Sequence, residues 1–389
     1  TAQSGREDTL NVLIDRFDED FDTIPNFAFL VAEVEKELTP EQKKTGAMKS
    51  TYDKLSPAEY KYVFDVPAKF REAWDNPDPW QREKWRTGIR AEFEKMNKNK
   101  VWRKVKRSTM PSGRRCVKHK WVFDIKQDGA FKAQLVACGY SQIPGVDFTD
   151  VYSPVVHDVT FRIMLVAELK WKLKSKIVDV ESAFLNGELE EEIYMECPDG
   201  LEYKAEECLL LLKAIYGLVQ SARQFFKKFV LILKKIGFVP SDADPCLMIR
   251  KCNLGLVYMA IYIDDCYCNG NEAAINDSIK GIVKNGLNVT VKDDLEDYLS
   301  CEIRFNKTRT KAWLGQPHLI KKLEKKFGEM VKGLMKYRTP GTPHTGIVRP
   351  KEGDLLVKEE QQELYRSGVG MLLYLVKHSR PDIANAVRE

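Results

Sequence analysis

The stretch that decides the fold is residues 254–270, which read LGLVYMAIYIDDCYCNG. A nearly apolar run precedes two adjacent carboxylates, Asp264 and Asp265, and a second β-rich run follows them. Short apolar runs on either side of a turn predict a buried β-hairpin. A charge at the end of a buried strand is costly unless it is paired or bound to a metal, although Asp is also a favoured residue of ordinary turns.

A third carboxylate ends another predicted strand. Asp179 follows residues 175–178, SKIV, a strand of the kind that packs beside the 254–270 hairpin in one sheet. Three carboxylates from two neighbouring strands would make an oxygen-rich site that suits Mg²⁺ better than zinc or copper. Two Mg²⁺ ions about 4 Å apart can activate a 3′-hydroxyl and neutralise a triphosphate. The pattern therefore favours phosphoryl transfer, whose catalysis is mostly positioning and charge neutralisation.

The composition is that of a globular protein. Of the 389 residues, 43% are hydrophobic and 31% are charged, and the longest nearly apolar run is residues 254–263. That run is far shorter than the ~20 residues of a membrane-spanning helix, so we expect no membrane partner. Nine scattered cysteines without a CxxC pair indicate reduced thiols rather than a disulfide framework or a zinc site.

The net charge of +5 hides a division along the chain. Residues 1–40 carry three basic and ten acidic side chains, whereas residues 82–132 carry 17 basic and five acidic ones. Basic groups pair with phosphates, and aromatic rings stack on bases, so nucleic acid is one expected partner of this region. The alternative is a solvated amphipathic helix with buried tryptophans. The tryptophans concerned are Trp80, Trp85, Trp102 and Trp121.

Periodicity and turn residues predict the elements that carry these groups. The spacing predicts helices over 80–98, 160–170 (a buried helix), 182–187 and 222–236, a strand over 177–180, and a hairpin of 120–126 with 131–137.

An ordered series of motifs resembles the reverse transcriptase of Copia-type (Pseudoviridae) LTR retrotransposons. The matching segments run in family order from about residue 80 to residue 389. They are KAQLVACGYSQ (132–142), YSPV (152–155), IVDVESAFLNGELEEEIYM (177–195), LKAIYGLVQSAR (212–223), YIDD (262–265), YLSCEI (298–303), YRSGVGMLLY (365–374) and SRPDIA (379–384).

The resemblance implies an α+β fold, a right-hand polymerase with fingers, palm and thumb, whose antiparallel palm sheet is backed by helices. It implies an RNA-directed DNA polymerase, a nucleotidyltransferase that transfers a nucleotide from a dNTP to a primer 3′-hydroxyl by a two-metal mechanism. Asp179, Asp264 and Asp265 match the catalytic, metal-binding carboxylates, and the backbone carbonyl of Val180 would complete one metal's shell. Two Mg²⁺ ions are expected, with Mn²⁺ as the alternative.

The resemblance also assigns the nucleotide site. Phe184, next to Ala183, matches an aromatic steric gate that would crowd a 2′-hydroxyl; the alternative is a core aromatic. The remaining residues assigned to the nucleotide are Lys120, Lys132, Tyr216, Gly217, Gln220 and Lys292. For Lys292 the alternative is an ordinary exposed lysine.

Further motifs imply contacts to a template–primer duplex of RNA or DNA. Leu299, Ser300, Cys301 and Glu302 match the primer grip. Residues 318–327 predict a basic amphipathic thumb helix, for which a membrane-surface helix is the disfavoured alternative. The residues assigned to nucleic acid are Arg223, Lys321, Lys322, Lys325 and Lys326, with a helix-surface charge as the alternative for Arg223.

Four positions depart from the family pattern. Gln134 and Cys138 stand where the family usually has Arg, and Ser300 and Cys301 replace Gly and Ile in the grip. The alternative function is therefore a polymerase-like protein that binds nucleic acid with reduced or lost catalysis. A phosphate-loop ATPase is excluded because no GxxxxGK[ST] motif occurs.

The resemblance predicts the domain order as well. Residues 1–78 would be an acidic extension or linker, 79–178 fingers and the start of the palm, and 179–303 the palm with a second fingers segment at about 188–222. Residues 304–389 would form thumb and connection, with no RNase H domain. A second copy of the chain and other retroelement proteins are further candidate partners, and the expected location is a cytoplasmic virus-like particle or, for a domesticated relative, the nucleus.

Overall fold

The computed structural model describes residues 55–388 except residues 127, 294 and 334–357. The chain divides into two compact units, Thr1–Val151 with Glu188–Ser221, and Tyr152–Gly187 with Ala222–Glu389. Both units combine helices with antiparallel strands, so the predicted α+β class is confirmed. Most of the predicted acidic extension, residues 1–54, lies outside the described residues.

Over its described residues, the first unit contains three α-helices and five strands. A three-stranded sheet has the order β1-β6-β5, and β2 pairs with β3 as a separate hairpin. The elements are α1 (Tyr60–Val63), α2 (Phe70–Trp74), α3 (Pro79–Lys98), β1 (Trp102–Lys106), β2 (His119–Ile125), β3 (Phe131–Ala137), β5 (Glu188–Met195) and β6 (Glu207–Lys213).

Helix α3 begins at the Asp78–Pro79 pair. Asp78 is its N-cap, and its carboxylate accepts hydrogen bonds from the backbone N–H groups of Trp80 and Gln81. Pro79 occupies the first helical position, where its missing N–H costs nothing. The helix then packs against β3. The Asp78–Pro79 pair therefore sets where the helix that covers the β2–β3 hairpin begins.

The tryptophans of the basic region divide between core and partly exposed positions. Trp85 and Trp121 are buried, and the Trp85 ring centroid lies 4.6 Å from that of Phe131. Stacking on bases was therefore the wrong expectation for these two, because hydrophobic packing between α3 and the β2–β3 hairpin removes their faces from solvent. Trp80 and Trp102 are half-buried.

The second unit is built on a six-stranded, entirely antiparallel sheet of order β11-β4-β10-β9-β8-β7. A smaller sheet has the order β12-β13-β14. The strands are β4 (Lys174–Val180), β7 (Val239–Pro240), β8 (Leu247–Cys252), β9 (Gly255–Tyr262), β10 (Asp265–Gly270), β11 (Val289–Lys292), β12 (Asp297–Tyr298), β13 (Cys301–Phe305) and β14 (Ala312–Gly315).

Helices cover the large sheet and share its apolar core. Phe161 of α4, Phe225 of α5 and Ile275 of α6 belong to one buried cluster with strand residues such as Val178 and Ile261. The helices of this unit are α4 (Asp158–Trp171), α5 (Ser221–Lys235), α6 (Glu272–Lys284), α7 (Pro317–Val331), α8 (Glu359–His378) and α9 (Ala384–Arg388).

Two helical predictions need correction. Helix α4 is buried on one face only, since Val159, Ile163 and Val166 are each 60–65% exposed on the other. The helix-like segment 182–187 is a short 3-10 turn, Ala183–Asn186. Its four residues follow Ser182, which has a left-handed backbone (φ 54°) and so separates the turn from β4.

No helix in the described ranges is both long enough and apolar enough to span a membrane.

Candidate active site

The β9–β10 hairpin places two carboxylates at the tip of the large sheet. Tyr262 pairs with Asp265, which leaves Ile263 and Asp264 as a two-residue turn. Ile263 has φ 56°, the sign that two-residue hairpin turns require at their first position. Such a backbone is costly for a β-branched residue and is retained where the surrounding structure enforces it. The hairpin that the sequence predicted is therefore present, with a strained tip.

The register of the sheet brings the third carboxylate to the same place. Strand β4 pairs with β10, and Asp179 lies directly opposite Asp265. The backbone N–H of Val180 donates a hydrogen bond to the carbonyl oxygen of Asp264 at 3.0 Å. Residues directly opposite in an antiparallel pair have neighbouring side chains. The three predicted catalytic carboxylates are thus brought together by backbone pairing alone.

The ionisation of Asp265 is perturbed by its surroundings. Burial in the site, followed by the charges of Asp264 and Asp179, raises the pKa of Asp265 to about 6, and Lys292 partly opposes this shift. The Asp265 side chain remains accessible to solvent. The site is therefore open to a ligand, and the negative charges of Asp264 and Asp179 disfavour the ionised form of Asp265. A carboxylate cluster of this kind is relieved by a bound cation.

The donor set fits a hard divalent cation. The described residues contain no group of three His, Cys, Asp or Glu arranged to hold a metal ion as they stand. The candidate donors are carboxylate oxygens, which suit Mg²⁺, Ca²⁺ or Mn²⁺ rather than soft metals. Their mutual repulsion in the absence of a cation is the feature that favours such an ion here.

Lys292 lies on β11 at the edge of the same sheet. Its strand pairs with β4, where Thr290 is opposite Asp179 and Lys292 is opposite Ile177. The lysine is exposed, and its charge lowers the pKa of Asp265. It therefore belongs to the electrostatic surroundings of the carboxylates.

Phe184 and Ala183 lie in the 3-10 turn after β4. Ala183 is buried, and Phe184 is half-buried and packs against the core of the second unit. The Phe184 ring is therefore held in place by the core and still keeps part of its surface exposed to solvent.

Tyr216 and Gly217 lie in the first unit, on the loop after β6. The carbonyl oxygen of Tyr216 accepts a hydrogen bond from the backbone N–H of Ala137 at 2.8 Å. Gly217 has φ 89°, and a Cβ there would lie 2.5 Å from Cγ1 of Val136 and closer still to the carbonyl oxygen of Ala137. Only glycine permits this approach, so the loop is locked to the end of β3.

Gln220 is fully buried, and its amide is engaged by the protein. Its side-chain nitrogen donates to the carbonyl oxygen of Asp147 at 2.8 Å, and its oxygen accepts from Nε2 of Gln142 at 3.0 Å. Oε1 of Gln142 in turn accepts from the backbone N–H of Val219 at 2.9 Å. Gln220 thus positions the loop together with Gln142, the last residue of the 132–142 segment, to which the resemblance gives no role.

Lys120 and Lys132 lie on the solvent face of the β2–β3 hairpin. Both side chains are exposed. Strand β2 alternates, with Trp121 and Phe123 buried between exposed neighbours, and Asp124 is the cross-strand partner of Lys132. The two lysines are thus available to solvent on one face.

The residues matched to the primer grip form a tight hairpin. Tyr298 pairs with Cys301, and the turn residues Leu299 and Ser300 have φ 54° and 59°. Two consecutive positive φ values are those of a type I′ turn, which favours Gly and Asn. Ser300 therefore occupies a position where the family's glycine is the less strained choice. Glu302 pairs with Arg304.

The other departures differ in their surroundings. Cys138 and Cys301 are both buried, so the position that the family fills with arginine lies inside the fold here, and Cys301 acts as a small core residue in place of isoleucine. Gln134 is half-buried on β3.

The residues assigned to nucleic acid lie on helices of the second unit. Arg223 on α5 donates to the carbonyl oxygen of Tyr152 at 3.2 Å, which is a structural contact. Lys326 on α7 donates to Oγ of Ser367 on α8 at 2.7 Å. The exposed lysines of α7 are Lys321, Lys322, Lys325 and Lys326.

Comparison with known proteins identifies relatives of this chain. Residues 99–338 match the family model described as reverse transcriptase (RNA-dependent DNA polymerase). A retrovirus-related Pol polyprotein from transposon TNT 1-94 of Nicotiana tabacum is 31% identical over 342 residues, which cover 85% of this chain and 25% of that protein. The Pol polyprotein from transposon RE1 of Arabidopsis thaliana is 31% identical over 314 residues, which cover 78% of this chain and 20% of the relative.

Among solved structures, a foamy viral protease–reverse transcriptase in complex with double-stranded DNA has 13% sequence identity and a TM-score of 0.36. It covers 87% of this chain and 50% of that one. The chain spans a quarter or less of the length of the two plant polyproteins. The family model alone covers well over half of the chain, and the predicted family and enzyme class are confirmed by it and by the transposon relatives. The chain belongs to the reverse transcriptase (RNA-dependent DNA polymerase) family, of the Copia type.

Proposed function

We propose that this chain is an RNA-directed DNA polymerase that transfers a nucleotide from a dNTP to a primer 3′-hydroxyl on an RNA or DNA template. One observation carries the proposal. In a chain of the reverse transcriptase family, the pairing of β4 with β10 sets Asp179 opposite Asp265, beside the turn that holds Asp264. Catalysis of phosphoryl transfer needs positioned charge more than reactive side chains.

The three aspartates would hold divalent cations, for which we propose Mg²⁺, with Mn²⁺ as the alternative. Such cations, when bound, would neutralise the triphosphate and favour the ionised 3′-hydroxyl. The protein's own contribution is to hold the carboxylates on adjacent strands. The antiparallel pairing and the strained turn at Ile263 fix their spacing before any substrate binds.

Further residues would select and orient the nucleotide. Phe184, held by the core of the second unit, would crowd a 2′-hydroxyl and so favour dNTP over rNTP. The Tyr216–Gly217 loop, held by Gln220 and Gln142, would bind in the nucleotide site. Lys120 and Lys132 would meet the triphosphate, since opposite charges attract there at little desolvation cost.

The right-hand names are likewise proposals. The first unit would supply the fingers, the six-stranded sheet of the second unit the palm, and α7 the thumb. The exposed lysines of α7 would neutralise phosphates of a template–primer duplex. The β12–β13 turn, with Leu299 and Ser300 at its tip and Cys301 and Glu302 after it, would serve as the primer grip.

The test is primer extension on poly(rA)/oligo(dT) with Mg²⁺. Asp264→Asn should reduce extension by at least about a hundredfold, because a carboxylate at the reacting centre is lost. The matched control is Asp242→Asn, which removes an exposed carboxylate that is not among the three aspartates and should leave extension unchanged.

Equal extension by wild type and Asp264→Asn would refute the proposal. Tight, salt-sensitive binding of the duplex without extension by the wild type would instead identify the alternative, a polymerase-like protein that has lost catalysis. RNA and DNA templates run side by side would show whether the activity is RNA-directed.

A further inference from the structure

A cavity of about 320 Å³ lies in the second unit, away from the carboxylates. Four segments line it: the C-terminal end of α4 with the two residues after it, the first residues of β4, Asp293 just after β11, and the loop between β13 and β14. Asp179 lies near the far end of the same strand, five residues beyond Lys174, which corresponds to roughly 17 Å of extended chain. The cavity is therefore separate from the candidate active site.

The two carboxylates that line the cavity already have partners. Glu168 is buried and accepts hydrogen bonds from Arg309 at 2.9 Å, Ser175 Oγ at 3.1 Å and the hydroxyl of Tyr267 at 2.6 Å. Asp293 accepts a hydrogen bond from Nζ of Lys176 at 2.5 Å. Neither carboxylate is left to neutralise a further cation.

Three lysines line the rim of the cavity. Lys172, Lys174 and Lys307 line the cavity and are exposed, and no hydrogen bond or ion pair engages their ammonium groups within the part of the chain that the structure describes. Three ammonium groups around one small cavity repel one another unless an anion lies between them. The local charge therefore favours an anionic ligand.

Two basic residues of the cavity have a strained, left-handed backbone conformation. Lys172 ends α4 with φ 52°, and Arg309 has φ 50° in the facing loop. A left-handed conformation costs a residue with a Cβ roughly 1–2 kcal/mol, so Gly or Asn is the usual choice. Strain of this kind concentrates at functional sites, and here both strained positions carry a cationic side chain at the same cavity.

The β13–β14 loop is also preorganised. Oδ1 of Asn306 accepts from the backbone N–H groups of Thr310 and Lys311, each at 2.8 Å, and its amide nitrogen donates to Oγ1 of Thr308 at 2.8 Å. Arg309 is held by Glu168 and lies over the ring of Phe305 at 4.2 Å. A loop fixed in this way loses little entropy when a ligand binds.

From these observations we propose that the cavity binds an anion with two or more phosphate groups, of the nucleoside polyphosphate class, at a site distinct from the polymerase centre. Lys172, Lys174 and Lys307 hold the phosphates, with the exposed hydroxyl of Thr308 as a hydrogen-bond donor. Leu169 and Leu173 supply the apolar lining on which a base packs. The volume is that of a small ligand pocket, which starts at about 300 Å³. The phosphates come either from a free nucleotide or from the 5′-triphosphate end of an RNA.

The experiment is calorimetric titration of the full chain with ATP in EDTA, so that nucleotide binding that needs divalent cations is suppressed. The variant Lys172→Gln, Lys174→Gln, Lys307→Gln should raise the Kd for ATP by about tenfold or more, because three charge-assisted contacts are lost. The matched control is Lys234→Gln, Lys251→Gln, Lys280→Gln, which removes the same charge from exposed lysines elsewhere in the unit. It should bind ATP as the wild type does.

A second measurement uses the unmodified chain. ATP and inorganic tripolyphosphate should slow the acetylation of Lys172, Lys174 and Lys307 relative to Lys234, as read by mass spectrometry, and adenosine should not. A 5′-triphosphate oligoribonucleotide that competes better than ATP would identify an RNA end as the source, and the reverse order a free nucleotide. The proposal is overturned if ATP does not bind, if the control loses as much affinity as the cavity variant, or if ATP leaves all four lysines equally reactive.

Discussion

Replacing Gly217 with Ala is the sharpest test of how the first unit is built. Gly217 has φ 89°, and a Cβ there would lie 2.5 Å from Cγ1 of Val136 and nearer still to the carbonyl oxygen of Ala137. The left-handed backbone costs an alanine roughly 1–2 kcal/mol. Overpacking against well-fixed neighbours typically adds about 1–3 kcal/mol. We therefore expect Gly217→Ala to lower the free energy of unfolding by about 2–5 kcal/mol.

Gly113 provides a matched control in the same unit. Its φ is 83°, nearly that of Gly217, but a Cβ there would meet no heavy atom within 4 Å. Gly113→Ala should therefore cost only the conformational part, roughly 1–2 kcal/mol. The difference between the two variants isolates the contact between the loop and the end of β3.

Urea unfolding followed by tryptophan fluorescence would measure both variants. Five of the seven tryptophans belong to the first unit, so the signal reports mainly on it; they are Trp74, Trp80, Trp85, Trp102 and Trp121. Equal destabilisation by the two substitutions would refute the close approach of Gly217 to Ala137. In the proposed nucleotide site, Gly217→Ala should also reduce primer extension, whereas Gly113→Ala should not.

Three other predictions test the second unit. Ser300→Gly should raise the free energy of unfolding by about 1 kcal/mol, since it removes left-handed strain at φ 59°; a loss of stability in urea would contradict the assigned turn. Burial would raise the pKa of Asp244, but hydrogen bonds from Thr160 Oγ1 (2.6 Å) and the N–H groups of His157 (2.9 Å) and Cys246 (2.9 Å) hold it below its ordinary value. A depressed pKa gives stability that is present at neutral pH and is lost as the pH falls through the native pKa. Asp244→Asn should therefore cost about 1–3 kcal/mol at neutral pH, and the gap from wild type should close in acid; a gap independent of pH would argue against the ionised carboxylate. Finally, EDTA should abolish primer extension and excess Mg²⁺ restore it, whereas extension that persists in EDTA would exclude the proposed metal dependence.

Local pattern predicted the elements well where neighbours in sequence are also neighbours in space. Apolar spacing and the Asp78–Pro79 start predicted α3, and the runs around Asp264 predicted the β9–β10 hairpin. A helix start or a two-residue turn depends on residues only a few positions apart, so composition at those positions suffices.

The exposure of side chains was harder to predict. The periodicity of α4 resembles that of a buried helix, yet Val159 and Ile163 face solvent, because only one side of the helix meets the sheet. Conversely, Trp85 and Trp121 occur among basic residues and are buried. Which face is covered depends on the partner element, and local periodicity carries no information on that partner.

Among the candidate site residues, the sequence by itself determined the chemistry: three carboxylates, two of them at a hairpin turn, and an ordered set of motifs that assign the chain to its family. Only the tertiary structure decided that β4 lies beside β10, so that Asp179 stands opposite Asp265 and the shared burial and charge raise the pKa of Asp265 to about 6. It also decided that Gln220 is locked to Gln142 rather than free to meet a ligand. Strand order and register arise from contacts between distant segments, whose formation is governed by the packing of the whole core rather than by any window of the sequence.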